Sequence, residues 1–544
     1  MNEQELATST ESRPNADDST RTGPYADITS NPHEIHPMPR LPTACPLTRH
    51  VGQTSYQHAE RLTGLVVAAA LAASIALVFT GCSTPVMRPS LDVPATFAAS
   101  TASEMEPEAA WWETFHDPVL SSLVHLAAQE SRDIKIAAER LQAARSGVTV
   151  SRSFLAPSVS AVGSASDRSS GYGDLTKQLL PDTRNGSAGL EVSWEVDLSG
   201  RLRAGAAAAA ADALAAEDGV RGVRLLVMTD VTTNYFTLVG ALRQLDTLRA
   251  ISAAQDETLR LVQARHRAGL ATPFDVERTR TDAESARAQI PPLETIAAVS
   301  RHRIAVLIGD QAFHSASIEP WRGDLTVPDI QPGQPAALLQ RRPDVLALLA
   351  QLDAANARRQ QAAAEWFPRL ILGASFGSQN VGLNGVGLGA ARFTNVAGLL
   401  AMPIFNAGRT SAMNKIAESG QREALLRAED GMVRALEDVE NALVSLSSER
   451  QRSQSLQAAS ASAEAALGRA QSLYDRGQID LLPLLDAQRV RLAARLSAND
   501  SSTRLLLDSV QLYKALGGGW QVSEPTAPSQ AQPTAAGPVP ASHS

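Results

Sequence analysis

The longest regular pattern in the chain runs from Gly200 to Gly269, in a stretch that carries no proline until Pro273. Within it Met228, Val231, Tyr235, Leu238, Leu242 and Leu245 alternate steps of three and four, the seam of a left-handed coiled coil. The spacing predicts one helix from Arg201 to about His266. At ~1.5 Å per residue such a helix reaches about 100 Å, far beyond the few turns of an ordinary globular helix, so it requires partners along its whole length. The seam recurs. Shifted by 208, Arg224, Met228, Val231, Tyr235 and Leu238 become Met432, Leu436, Val439, Leu443 and Leu446, inside a second proline-free run from Ile404 to Leu482.

A second periodicity precedes each rod. Leu190, Val192, Trp194, Val196 and Leu198 alternate with Glu191, Ser193, Glu195 and Asp197, period two without a break. In a soluble protein this is a half-buried sheet strand. In a bilayer it is a barrel strand with one face to lipid and one to a wet, acidic lumen. Ser158 to Asp167 reads as its partner after Pro157, with a Gly, Ser and Asp rich loop to about Gly186 between them. Upstream, Pro118 after the cap Asp117 starts a helix expected to run to about Phe154. The plan repeats: Trp194, Gly200, Arg201 and Gly269 match Met402, Gly408, Arg409 and Gly477 at the same shift of 208, and strands are expected near Leu370 to Ser378 and Val396 to Phe405. Each repeat reads helix, strand, loop, strand, very long helix, turn, helix. The boundaries are 118–309 for the first, a proline-rich linker at 310–337, and 338–520 for the second.

The ends have a different character. Residues 1–61 are polar and aperiodic, read as a disordered or untranslated extension, and 521–544 as a disordered tail. Between Arg61 and Cys82 lies a nearly wholly apolar run from Leu62 to Thr80. It is either a membrane-spanning anchor or, with Thr80 and Gly81 before Cys82, a lipoprotein signal peptide at 62–81 whose cleavage leaves an acylated cysteine. On the second reading translation begins further on, at about Met38, and 82–117 is a lipid-anchored extended segment. Cys45 and Cys82 are the only cysteines, so no disulfide framework or CxxC metal site exists. The net charge of -8 argues against nucleic acid as a partner, and aromatics are only 4%.

The lipid anchor expected at Cys82 and the long helices favour the barrel reading of the alternating strand over the soluble one. Four strands per chain cannot close a barrel in lipid, because open edges leave backbone groups unpaired. Three copies give twelve strands, and the rods continue the barrel as a helical tube. The fold class is therefore mainly α with a transmembrane β-barrel: a trimeric, twelve-stranded barrel continued by a long coiled-coil tunnel, internally duplicated. No Ser/His/Asp arrangement, phosphate loop, paired carboxylates or ligand-spaced histidines (His125, His266, His302) stand out, so neither an enzyme nor a cofactor is expected, and Glu191, Glu195 and Asp197 read as acids wetting the lumen.

The chain resembles the outer-membrane factor family of efflux ducts, in its OprM-like and NodT-like lipoprotein branch, and is distantly similar to TolC. The residues that carry the resemblance are Cys82; Trp111, Trp112, Phe115, Asp117, Pro118 and Leu120; Arg341-Arg342-Pro343-Asp344-Val345; and Asp486-Ala487-Gln488-Arg489. The resemblance implies a homotrimer in the outer membrane with a large periplasmic part, receiving small molecules from an inner-membrane RND-type pump through a periplasmic adaptor. It places the adaptor-facing tip in the turns at Arg267, Gly269, Arg476 and Gly477, and an aperture at Asp486, Leu482 and Asp275. Helix capping is an alternative reading for both aspartates. Pro483 stands where some relatives carry a second aspartate, so a doubled acid ring is not expected. A type I secretion duct would share the whole fold, and a pore-free lipid-anchored spacer would share the rods alone.

Overall fold

The computed structural model describes residues 84–98, 109–310, 318–320 and 327–520. The N-terminal extension, the signal segment, Cys82, the tail and parts of the linker lie outside these residues. In chain order a 3-10 turn (Trp111–Phe115) leads to α1 (Pro118–Glu130), α2 (Arg132–Ser153), β1 (Ser158–Arg168), α3 (Asp174–Leu179), β2 (Thr183–Val196), α4 (Arg201–Arg267), α5 (Pro273–Ala288) and α6 (Ile290–Leu307). After the linker come α7 (Pro335–Arg341), α8 (Pro343–Ala364), β3 (Arg369–Leu383), β4 (Val386–Ala401), α9 (Arg409–Asp475) and α10 (Leu481–Ala515).

The two rods, α4 and α9, are each 67 residues long, about 100 Å at the helical rise. Each begins after a glycine in the left-handed region, Gly200 at φ 77° and Gly408 at φ 84°. Met228, Val231, Tyr235, Leu238 and Leu245 are buried, with Leu242 half-buried beside them, so the seam is the core. The aromatic motif before α1 docks onto that seam: Phe115 meets Phe236 edge to face at 4.9 Å, and Trp111 stacks on Tyr513 of α10 at 5.0 Å. Asp117 joins the two levels. One carboxylate oxygen accepts the amides of Val119 and Leu120 (2.9 and 3.0 Å), capping α1, and the other accepts the Tyr235 hydroxyl at 2.5 Å.

Arg342, in the Arg-Arg-Pro-Asp-Val motif, ties together the second repeat. Its guanidinium donates to Asp344 (2.7 and 3.0 Å), Asp438 (3.0 Å) and the carbonyls of Ala435 on α9 and Ala515 at the end of α10 (3.3 and 3.1 Å). Residues 84–98 lie as an extended strap along α8 and α9. Asn356 reads both the amide and the carbonyl of Met87 at 3.0 Å, and Gln421 donates to the Pro85 carbonyl at 3.0 Å.

Several boundaries differ from expectation. The helix expected from Pro118 to Phe154 is two helices, because Ser131 takes an extended ψ of 127° and serves as the N-cap position of α2. The helix after the first tip breaks at Gln289, just before Pro291 and Pro292, which lack the amide hydrogens an uninterrupted helix needs; α10, its counterpart, is continuous. The second hairpin is much longer than the periodicity suggested: β4 begins at Val386, directly after a tight turn at Asn384 and Gly385 (φ 49° and 83°), and ends at Ala401 rather than Phe405.

Candidate channel wall and helical tips

The sheet is antiparallel in the order β1-β2-β3-β4, which leaves β1 and β4 as open edges. The register sets Ala161, Leu190, Phe376 and Thr394 in one row and Val159, Val192, Ala374 and Val396 in the next. Since alternate residues share a face, one face carries Val159, Leu190, Val192, Trp194, Leu372, Phe376 and Leu400. The other carries Ser158, Ser160, Ser164, Ser187, Glu191, Ser193, Ser375 and Gln379. An apolar band outside and hydroxyls inside is the pattern of a strand wall with lipid on one side and water on the other. Gly189 and Gly377 face the polar side where strands approach closely: a Cβ on Gly377 would sit 3.0 Å from the Phe393 ring, which lies across it.

Two of the three acids expected in the lumen have other work. Glu195 pairs with Arg201 at 2.8 Å, and Arg201 also meets Glu365, which in turn pairs with Arg369. Asp197 accepts the amides of Leu202 and Arg203 (3.2 and 3.0 Å), capping α4. They fasten the sheet to the rods, because four free α4 amides need acceptors. Only Glu191 remains on the serine face without such a partner among the contacts described.

At the far ends of the rods the two tips are built alike. Gly269 (φ 75°) donates to the His266 carbonyl and Leu270 to Arg265; Gly477 (φ 70°) donates to Tyr474 and Gln478 to Leu473, all at 2.8 to 2.9 Å. Both are left-handed helix terminations that require glycine. Arg267 ends α4 and Arg476 follows α9, cations placed where helix carbonyls are free. The tips touch: Arg265 donates to the Tyr474 hydroxyl at 2.5 Å, its guanidinium 5.5 Å from the ring centre.

The two acids differ. Asp275 forms a reciprocal capping box with Thr272: it accepts the Thr272 amide and hydroxyl (2.9 and 2.7 Å), and its own amide donates back at 3.2 Å. Those hydrogen bonds, with Arg278 and Arg265 nearby, hold its carboxyl below the usual carboxylate range. Asp486 caps nothing. The N-cap of α10 is Asp480, and Asp486 sits within the helix, exposed and paired with Arg489 at 2.7 Å. Leu482 is exposed one turn before it, and Leu270 and Phe274 are exposed on the other tip. Among the described residues, no three His, Cys, Asp or Glu side chains gather as a metal site.

The family model for outer membrane efflux proteins matches residues 123–310 and again 335–518, one match per repeat. The chain belongs to that family. OpmQ of Pseudomonas aeruginosa, a pyoverdine export outer membrane protein, is 34% identical over 76% of this chain and 87% of its own length. The outer membrane protein OprJ of the same organism is 30% identical over 75% and 86%. Among solved structures, the open-state MtrE channel of Neisseria gonorrhoeae superposes with a TM-score of 0.70 at 25% identity, covering 81% of this chain and 99% of that one. The efflux-protein fold expected from the sequence stands: one third of a trimeric twelve-stranded barrel, continued by a helical tunnel and internally duplicated, in the outer membrane. Members of the family are channel proteins.

Sequence reasoning missed the Asn384-Gly385 turn, the Arg265–Tyr474 tie and the seat of the strap on Asn356 and Gln421. The first had a signal, since Asn-Gly between alternating segments is the strongest short-range mark of a two-residue hairpin. The others join residues more than 200 positions apart, and no local pattern announces them.

Proposed function

We propose that three copies of this chain form the exit duct of a tripartite efflux system, fed by an inner-membrane RND-type pump through a periplasmic adaptor and performing no chemistry of their own. The observation that carries this reading is the four-stranded sheet with a hydroxyl-lined face and two open edges, fastened by Arg201 and Asp197 to 67-residue rods. Such a sheet closes only with other copies, and the rods extend its lumen by about 100 Å.

The tips supply a gate. Asp486 and Leu482 project from the start of α10, and around a threefold axis they form an acidic and an apolar ring that ions cross with difficulty. Asp275 stiffens the neighbouring turn, and Arg267, Gly269, Arg476 and Gly477 shape the surface that the adaptor meets. Cys82 carries the lipid. The described strap that follows it is clamped along α8 and α9, and more than one acyl chain makes the anchoring stable. The cargo is a small molecule whose identity the pump decides. The relatives OpmQ, CusC and SrpC are named for pyoverdine export, cation efflux and solvent efflux, so one architecture serves unlike cargoes.

In-cell crosslinking followed by purification of this chain tests the partners. An adaptor and an RND-type pump are expected with it; an ABC-type exporter would transfer the protein to secretion, and recovery of the chain alone would remove the efflux assignment.

A further inference from the structure

Below the barrel, α8 fills the wall between α4 and α9. The two rods stand apart over α8, leaving a groove of about 940 Å³ whose sides and floor include Ala215, Leu348, Ala355, Met413, Ile416 and Ala424. A second groove of about 900 Å³ adjoins it, sharing Asp212, Arg358 and Gln361, and ends among Ser151, Ser158, Ser193 and Arg201. Ser158 and Ser193 belong to the hydroxyl face of the sheet, so this groove opens to the lumen. The strap occupies the other side of α8 and α9, where Asn356 and Gln421 hold it.

The lining is polarised along its length. Toward the rods it is aliphatic, with Met413 and Ile416 exposed. The charges there are spent on one another, Asp212 on Arg358 and Glu423 on Arg427. Toward the barrel it offers the hydroxyls of Ser151 and Ser193, while Ser158 donates its own to the Ser193 carbonyl; beside them the Arg201 Nε is buried and has no hydrogen-bond partner. A buried donor left unpaired is unfavourable by ~1–3 kcal/mol, and an acceptor brought by a ligand removes that penalty. The volume is that of a small-molecule site.

We propose that this groove is a transit site for amphiphilic cargo, seating an apolar body against Met413 and Ile416 and a hydrogen-bond-accepting, uncharged head against Arg201 and the serines. The duct wall then holds such molecules briefly instead of being inert to them. The inference takes the lumen side from the barrel and adds to it a place where cargo rests.

The test places p-benzoylphenylalanine at Ile416 in the full-length trimer in lipid nanodiscs, with the same residue at Ser160, on the lumen face but outside the groove, as the reference. The probe is n-dodecyl-β-D-maltoside below its micelle concentration, and the readout is the mass of the photoadduct. Adduct at position 416 that saturates and exceeds that at 160 at least tenfold, and that falls at least tenfold in an Ala355→Trp background, is the expected result. Equal or unsaturable labelling at the two positions overturns the proposal. If Ala355→Trp fails to form trimers, Ala424→Leu fills the same groove. Trimer mass and single-channel conductance are read in parallel, so loss of the groove's occupancy leaves the duct assignment separately judged.

Discussion

Replacing Arg342 by alanine should loosen the end of α10 from the rest of the second repeat. The side chain is 11% exposed, whereas its partners Asp344 and Asp438 are 57% and 50% exposed. The two acids therefore regain water when the guanidinium is removed, and their loss is small. The Ala515 carbonyl does not. It is among the last four of its helix, without a helical donor, and Ala515 is buried. Leaving that acceptor unpaired is unfavourable by ~1–3 kcal/mol, and the emptied guanidinium site adds lost packing. The sum is about 2–4 kcal/mol, because no buried charge is left behind. At ~1.4 kcal/mol per factor of ten, local opening of α10 should become about 30- to 10³-fold more frequent. Ser509→Cys provides the reporter, since Ser509 is fully buried on α10. Maleimide labelling of that thiol in the folded trimer should accelerate by this factor in Arg342→Ala, when reclosing outpaces labelling. Arg342→Lys should recover only part, because an ammonium cannot span two carboxylates and two carbonyls. An acceleration below threefold, or full recovery by lysine, would refute the reasoning.

Other consequences follow from the same contacts. Burial raises the Asp344 carboxyl, but hydrogen bonds and charge from Arg342 outweigh it and the net pKa lies below 3.8; the stabilisation is thus fully present above about pH 4 and lost as pH falls through the lower folded value, so the Ser509→Cys labelling rate should rise below pH 4 in the parent and stay flat in Arg342→Ala. Gly385→Val forces a branched side chain to φ 83°, costing about 1–2 kcal/mol, and should lower the yield of heat-modifiable trimers on gels, with Asn384→Gly tolerated. Arg265→Ala removes the tie to Tyr474 between the tips and should raise the closed-state conductance in planar bilayers; an unchanged conductance would show that the tie does not hold the aperture. Cys82→Ser should abolish incorporation of labelled palmitate while leaving the strap seated on Asn356.

The sequence disclosed what depends on periodicity. The seam from Met228 to Leu245, its copy 208 residues on, and the alternation at Leu190 were each legible because one side of the element faces a partner and the other does not. Asp117 was legible as a cap because Pro118 follows it. What could not be read is where an element ends against its surroundings: Asp197 looks like another polar residue of β2 until the first amides of α4 are seen to need an acceptor. Asp275 and Asp486 each admitted a cap or an aperture reading from the sequence; Thr272 three residues before Asp275 completes a capping box, and nothing comparable precedes Asp486. Arg342 stood in a recognisable motif, but its role depends on Ala435 and Ala515, brought to it only by the fold.

The central claim is that a chain with four strands and two open edges becomes a duct by joining two further copies. Native mass spectrometry of the complex released from membranes counts the chains directly. A particle of three acylated chains is predicted; a stable monomer, or any other number of copies, would contradict the account.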